Sequence, residues 1–312
     1  MYVFCLAVWP SLHLIAFQFF AFYLTFDWKL EVALEAMGDD GTCGHDVITL
    51  ALARKESTQH SHGMAELSEV MQQKSLKIKA FPHSDECLSP ISDPNVKIVH
   101  FLRHGQGFHN LMADLAAASG KEWEQFKKHS NNPYTMPEIL DAPLTQKGRQ
   151  QAQSLQSRTR SFAAQPELIV LSPHCRALQT GLIAFEHLLD KEGIPFVAHE
   201  MVREETGVHV CDKRRPTSHQ KREFPMVDFS LIESEEDEIF LNDRRENKIE
   251  IGERIFKFMM WLHSRHETHI AVASHSGWLM TVFNGVVECD EALKAWFQTG
   301  ELRSVKLVFS SE

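Results

Sequence analysis

From position 96 onward, apolar runs of strand length alternate with stretches whose apolar residues recur at helical spacing. Strands are expected over 96–102, 167–171, 195–199, 269–274 and 304–309. The first and fourth are nearly continuous apolar runs rich in β-branched or aromatic residues, the pattern of strands covered on both faces. Between them, 174–189 sets Ala177, Leu178, Gly181, Leu182, Phe185, Leu188 and Leu189 on one helical face. A second helix over 253–263 carries Ile255, Phe256, Met259, Trp261 and Leu262 and reads as heavily buried. A third, 146–162, is mostly polar with a thin stripe of Ala152, Leu155 and Phe162, and should lie outside. Repeated strand–helix units of this kind predict a mainly parallel sheet.

Two stretches break the alternation, roughly 105–144 and 205–250, both rich in charge and turn residues. Loops beyond strand C-termini build the ligand crevice of an open α/β sheet, so both are candidate lids or specificity walls. The acidic run Glu233-Ser234-Glu235-Glu236-Asp237-Glu238 is expected to be a solvated face.

The chain before position 96 is different. Residues 27–95 read as a poorly structured lead-in broken by Gly, Pro and polar clusters, with helical pieces around 46–55 and 64–75. Residues 1–26 carry no charged side chain and are long enough to span a bilayer. They lack a basic start, a clean small-residue cleavage site and flanking Lys or Arg, and they contain Pro10, His13 and Gln18. A membrane or secretory segment, a mis-assigned start and a plain apolar extension all stay open. A cytoplasmic location is expected, with membrane association only through 1–26; the alternative is an anchored or secreted protein. The division is thus 1–26, 27–95 and a main domain over 96–312.

Composition adds exclusions. At 43% hydrophobic and 24% charged, the chain can build a sizeable core. A net charge of -10 argues against general nucleic-acid binding, which needs a basic field. Six cysteines without a CxxC pair suggest reduced thiols and no disulfide framework. Cys43 with His45, and His60 with His62, are isolated pairs of the kind usually found solvated, and no metal site is expected.

Chemistry enters at the strand ends. The first strand runs into Arg103-His104-Gly105, the second into Ser172-Pro173-His174-Cys175-Arg176, the fourth into Ser274-His275-Ser276-Gly277. One histidine at a strand end is usually structural. Arg103, His104, Arg176 and His275 delivered to one sheet edge suit a phosphoryl group, which arginine grips in bidentate fashion.

These residues also carry a family resemblance. Leu102-Arg103-His104-Gly105 with Asn110, Asp141-Ala142-Pro143-Leu144-Thr145-Gln146-Lys147-Gly148 with Gln151-Ala152, Ser172–Thr180 in the pattern S-P-x-x-R-x-x-Q-T, and Ser274-His275-Ser276-Gly277 resemble, in this order, the histidine phosphatase (phosphoglycerate mutase-like) superfamily. The resemblance covers about 96–310. Around 207–215 and 299–305 it is similar to a eukaryotic phosphoglycerate mutase-like group.

The resemblance implies a three-layer α/β/α sandwich with a mostly parallel central sheet. It implies a metal-independent phosphomonoester hydrolase, without cofactor, that works on a small phosphorylated metabolite through a phosphohistidine on His104. Arg103, Arg176 and His275 would hold the phosphoryl oxygens. The family's acid follows the strand at 195–199; Glu204 is the choice here and Glu205 the reserve. Asn110 would steady the loop or touch the phosphate, or simply cap a helix. Lys213, Arg214, Arg215, Lys221 and Arg222 form a basic patch that would attract an anion or lie solvated, and Asp212 could pair with one of these arginines. Thr145 should cap the following helix. Two rivals remain, a true phosphoglycerate mutase and a non-catalytic phosphate-binding module. Gln106-Gly107-Phe108-His109-Asn110 departs from the mutase-type E-S-x-W-N and favours hydrolysis. Substrate and oligomeric state have no readable code.

Overall fold

The computed structural model describes residues 57–87, 91–118 and 132–311, and all of them fall within one compact unit, Leu52–Glu312. Seven strands form one sheet: β1 (Leu76–Pro82), β2 (Val96–Arg103), β3 (Leu168–Leu171), β4 (Phe196–Ala198), β5 (His269–Ser274), β6 (Glu288–Cys289) and β7 (Leu302–Ser311). Their spatial order is β4-β3-β5-β2-β7-β1-β6. Every pairing is parallel except those of β7, which runs antiparallel to both β2 and β1.

The pleat explains why the central strands are apolar throughout. In β3, Leu168 and Val170 enter one core while Ile169 and Leu171 enter the other; in β5, Ile270 and Val272 oppose Ala271 and Ala273. Helices cover both faces. On one side lie α1 (Ser57–Gln72), α7 (Lys248–Ser264) and α8 (Ser276–Thr281), whose Leu67, Ile255, Met259, Trp278 and Leu279 fill the larger core. On the other lies α5 (Cys175–Ala184), through Cys175, Leu178 and Ala184, flanked by α3 (Gln146–Ser154) and α4 (Gln156–Arg160). The remaining helices are α2 (Phe108–Ala118), α6 (Thr217–Glu223) and α9 (Glu291–Lys294). The expected three-layer architecture with a mostly parallel sheet is present.

Two differences from the sequence reading stand out. Residues 57–82, placed in the lead-in, form α1, which overlaps the helical piece expected around 64–75, and β1, which is an interior strand of the sheet. Its signal was weak because Ile78 and Ala80 are its only buried residues. The helix expected over 146–162 is split at Leu155 into α3 and α4, and that over 174–189 ends its α-helical part at Ala184. The piece expected around 46–55, the segment 1–26, and the side chains of Cys43, His45, His60 and His62 lie outside the described residues. Among the described residues no helix is long and apolar enough to cross a membrane.

Candidate active site

The parallel strands β2, β3 and β5 end side by side, so the residues after them meet at one edge of the sheet. His104 stays in the ladder, its amide donating to Ser274 O at 3.0 Å. The chain then turns through Gly105, whose missing Cβ would meet Gly148 O at 2.4 Å. Gly148 needs the same bareness, since a Cβ there would sit 2.1 Å from Gln106 O. The remaining motif residues fasten this turn. Thr180 Oγ1 accepts from Gly105 N at 3.0 Å, and Gln151 Oε1 accepts from Gln106 N at 2.8 Å. Thr145 caps α3 by accepting from Gly148 N at 3.1 Å, as expected. Gln179 Oε1 holds Leu144 N at 2.8 Å. The motifs at 141–152 and 172–180 therefore act largely by clamping the Arg103-His104-Gly105 turn.

The four strand-end groups come together. The rings of His104 and His275 are 5.0 Å apart, and His109 lies 5.5 Å from His104. His104, His275 and Arg176 are each at most 1% exposed, Arg103 8%. Arg103 Nη1 donates to Phe297 O at 2.6 Å and its guanidinium lies 5.5 Å over Trp296. Arg176 donates to Cys211 O at 2.6 Å and to Asp212 Oδ1 at 2.8 Å. Arg103 Nε, Arg176 Nε, His275 Nδ1 and His109 Nδ1 are buried and make no hydrogen bond within the protein. Buried polar atoms are normally satisfied, so four such nitrogens around one histidine, two of them guanidinium donors, mark a place built for a polar guest.

Electrostatics sets the state of the imidazoles. Burial, then the charges of Arg176 and Arg103, hold His104 well below its ordinary pKa, so the ring is neutral at physiological pH. Its Nδ1 lies 2.6 Å from Gly105 O; a carbonyl only accepts, so Nδ1 carries the proton and Nε2 keeps its lone pair. Burial and then Arg176 hold His109, His174 and His275 well below theirs too. Arg103 is pushed down to about 10 by burial and stays cationic.

Two glutamates follow the short turn Glu200–Val202 after β4, and they differ sharply. The Glu204 side-chain oxygens accept from the amides of Gly277 (3.1 Å) and Trp278 (3.0 Å) at the start of α8, within electrostatic reach of both Arg103 and Arg176. Glu205 is bound by Lys248 at 2.6 Å and Arg245 at 3.4 Å. Burial opposes its charge, but those cations win and hold its pKa below the usual glutamate value.

Other expectations are corrected. Two members of the basic patch, Arg214 and Arg215, are consumed inside the fold, while Lys221 and Arg222 are exposed. Arg214 is buried and pairs with Glu200 at 2.9 Å; Arg215 pairs with Asp141 at 3.0 Å and Glu223 at 2.8 Å. Asp212 does pair with arginines, though with Arg176 and Arg245 (each 2.8 Å) and with none of the patch. In the acidic run, Asp237 is buried against Arg203 at 2.5 Å, while Glu233, Glu235, Glu236 and Glu238 are exposed. Asn110 Oδ1 accepts from Gly107 N at 3.0 Å, which places this group in the loop's own framework. Sequence reasoning missed two pocket histidines. His174 sits in the quoted strand end at 172–176 and shares the signal of His275, a polar group beside a buried strand end; His109 lies in α2 beyond the glycine turn and had no such signal.

Comparison with known proteins agrees with this architecture. Residues 99–312 match the model of the histidine phosphatase superfamily, branch 1. Phosphoglycerate mutase-like protein 1 of Arabidopsis thaliana is 34% identical over 243 residues, spanning 68% of this chain and 81% of the relative. A second Arabidopsis thaliana protein, named phosphoglycerate mutase-like protein, is 31% identical over 243 residues, spanning 68% and 84%. A protein of Schizosaccharomyces pombe named as a probable phosphatase is 28% identical over 144 residues, 46% of this chain and 56% of its own length. With a family model matched across its whole sheet-edge site, this chain belongs to the histidine phosphatase superfamily.

Proposed function

We propose that the protein is a metal-independent phosphomonoester hydrolase that works on a small phosphorylated metabolite through a phosphohistidine on His104. Family membership supports phosphatase or phosphotransfer activity. The observation that carries the finer reading is the ring of buried nitrogens with no internal partner, on Arg103, Arg176 and His275, around the neutral ring of His104.

In the first step His104 Nε2 attacks phosphorus in line, the N–P bond forms and the ester P–O bond breaks. Glu204 gives the departing oxygen its proton. In the second step water attacks the phosphohistidine, returns a proton to Glu204 and releases inorganic phosphate. Arg103, Arg176 and His275 balance the charge on the equatorial oxygens, the task a metal ion performs in other phosphoryl-transfer sites. Asn110 takes part through the loop it braces. Glu204 is preferred over Glu205 because Glu205 is committed to two cations. Departure of Gln106-Gly107-Phe108-His109-Asn110 from the mutase pattern supports release of phosphate to water over return to a bound sugar acid.

The test is a screen of phosphorylated metabolites, 3-phosphoglycerate among them, with a ³²P-labelled substrate quenched in turnover. Alkali-stable label on the wild type and none on His104→Ala is expected, with turnover reduced about 10³-fold or more. Mutase turnover of 3-phosphoglycerate faster than hydrolysis would overturn the hydrolase reading. Absence of label and of turnover across the panel would leave a phosphate-binding module.

A further inference from the structure

Ser172, His174 and His275 form a buried hydrogen-bonded chain beneath the pocket. His174 Nε2 lies 3.0 Å from Asp212 O. A carbonyl accepts only, so His174 carries its proton on Nε2 and presents a lone pair at Nδ1. That Nδ1 lies 3.3 Å from His275 Nε2 and 3.4 Å from Ser172 Oγ. His275 Nε2 lies 2.7 Å from Ser172 Oγ. One arrangement satisfies every contact: His275 donates from Nε2, and Ser172 accepts it and turns its hydroxyl toward His174 Nδ1. In the other tautomer two lone pairs would face each other across 3.3 Å, and His174 Nδ1 would have no donor. The remaining nitrogen of His275, the buried and unpartnered Nδ1, is then an acceptor. An acceptor facing a phosphoryl oxygen repels it.

We propose that His174 is a positioning residue that fixes the tautomer of His275 through this chain, so that binding of an oxyanion loads one proton onto His275 Nδ1. The loaded imidazolium then donates Nδ1–H to the anion. The proton comes from solvent when the ligand enters as a dianion, and from the ligand when it enters as a monoanion. The claim rests on the reading of the site as an oxyanion pocket. The groups facing His275 fit it. Arg176 from α5, His174 at the start of α5, His104 after β2 and His109 in α2 bring positive charge or none. With burial they keep His275 neutral until an anion arrives. Glu204, the nearby carboxylate, is occupied by the amides of Gly277 and Trp278. Arg203 and Arg176 act on His174 in the same direction, so the relay starts neutral.

The test uses tungstate, a dianion throughout the range pH 7 to 9, which leaves any proton uptake to the protein. Uptake of one proton makes affinity fall about tenfold per pH unit. His174→Phe keeps the ring's bulk and removes the acceptor facing His275, freeing its tautomer, while Asp212 O keeps its donor Arg203 Nη2 at 3.2 Å. The expected result is a pH dependence about tenfold per unit shallower in His174→Phe than in the wild type. A proton taken up by His104 is common to both and cancels. Equal slopes would overturn the relay, because a merely structural role lowers affinity at every pH alike. A readout on the wild type alone is the ¹⁵N resonance of His275 Nδ1, expected unprotonated in the free enzyme and protonated with tungstate; an Nδ1–H in the free enzyme would overturn the proposal even if the variant does not fold. Failure of tungstate to bind at all would remove the oxyanion pocket itself and the relay with it, whereas binding without proton uptake removes only the relay.

Discussion

Glu204 and Glu205 are neighbours in sequence with different partners, and that contrast yields a prediction. Glu204 faces Arg103 and Arg176 and is held by hydrogen bonds from backbone amides. Glu205 is held by Lys248 and Arg245. Glu204→Gln should lower kcat by about 10²- to 10⁴-fold, the usual range for a lost proton donor, with little change in melting temperature. Glu205→Gln should leave kcat within a few-fold and lower the melting temperature, because it strands the partly buried Lys248 and leaves Arg245 with Asp212 as its carboxylate partner. Steady-state kinetics and thermal melts on the pair decide it, and the reverse pattern would move the acid role to Glu205. At this scale much of the site was legible. A histidine or arginine at the end of a buried strand is an identifiable anomaly; Arg103, His104 and His275 have that form, and Arg176 follows five residues after β3. His174 and His109 were not singled out because their importance depends on which atoms they face. Asp237 was misread for the same reason: a run of acids shows its charge, and nothing in it reveals that one member meets Arg203 in the interior.

Among the elements, legibility followed the number of buried faces. Strands β2, β3 and β5 bury both faces and announce themselves as apolar runs. Strand β1 alternates lysine with apolar residues over Leu76-Lys77-Ile78-Lys79-Ala80 and is not legible as a strand, and helix α1 has a diffuse apolar pattern legible only as the helical piece around 64–75. Their attachment is nonetheless specific. Leu67 of α1 is fully buried, and its Cδ1 would lie 2.2 Å from a Cβ on Gly252 of α7 and its Cδ2 2.5 Å from one on Gly285. Leu67 is a knob in a notch made by two glycines. Leu67→Ala should cost about 2–5 kcal/mol through lost burial and a cavity. Gly252→Ala should cost about 1–3 kcal/mol by overpacking. Combined, the two changes should cost clearly less than their sum, because each relieves the other. Urea unfolding of the three variants checks this. Strict additivity would mean that α1 does not dock there.

On the scale of the whole molecule, the fold carries an unusual load of buried neutral imidazoles, and this sets its response to acid. Burial lowers His100 to about 3 and His199 to about 4. His104, His109, His174 and His275 lie well below their ordinary value of 6.5, through burial and then Arg176. A histidine with a depressed folded pKa stays neutral in the native state while the unfolded chain takes up a proton below 6.5. Stability is therefore full above that value and is lost as pH falls toward the folded pKa, by about 1.4 kcal/mol per pH unit for each such proton. Glu205 and Asp237, lowered by their cationic partners against the opposing effect of burial, add loss in the same direction at lower pH. Asp141, raised by burial, subtracts from it. The unfolding free energy should thus fall steeply between pH 6.5 and 4, far more so than carboxylates alone would dictate. Four of these six imidazoles line the pocket, so a bound oxyanion should supply the counter-charge that lets some of them protonate in the folded state. Tungstate or inorganic phosphate should then move the acid midpoint to lower pH, beyond the shift that binding gives at neutral pH. Equilibrium unfolding followed from pH 8 to pH 4, with and without the anion, measures both effects. A profile flat down to pH 5 would mean that the histidines are charged or solvated in the native state, and a neutral nucleophile at position 104 would no longer follow.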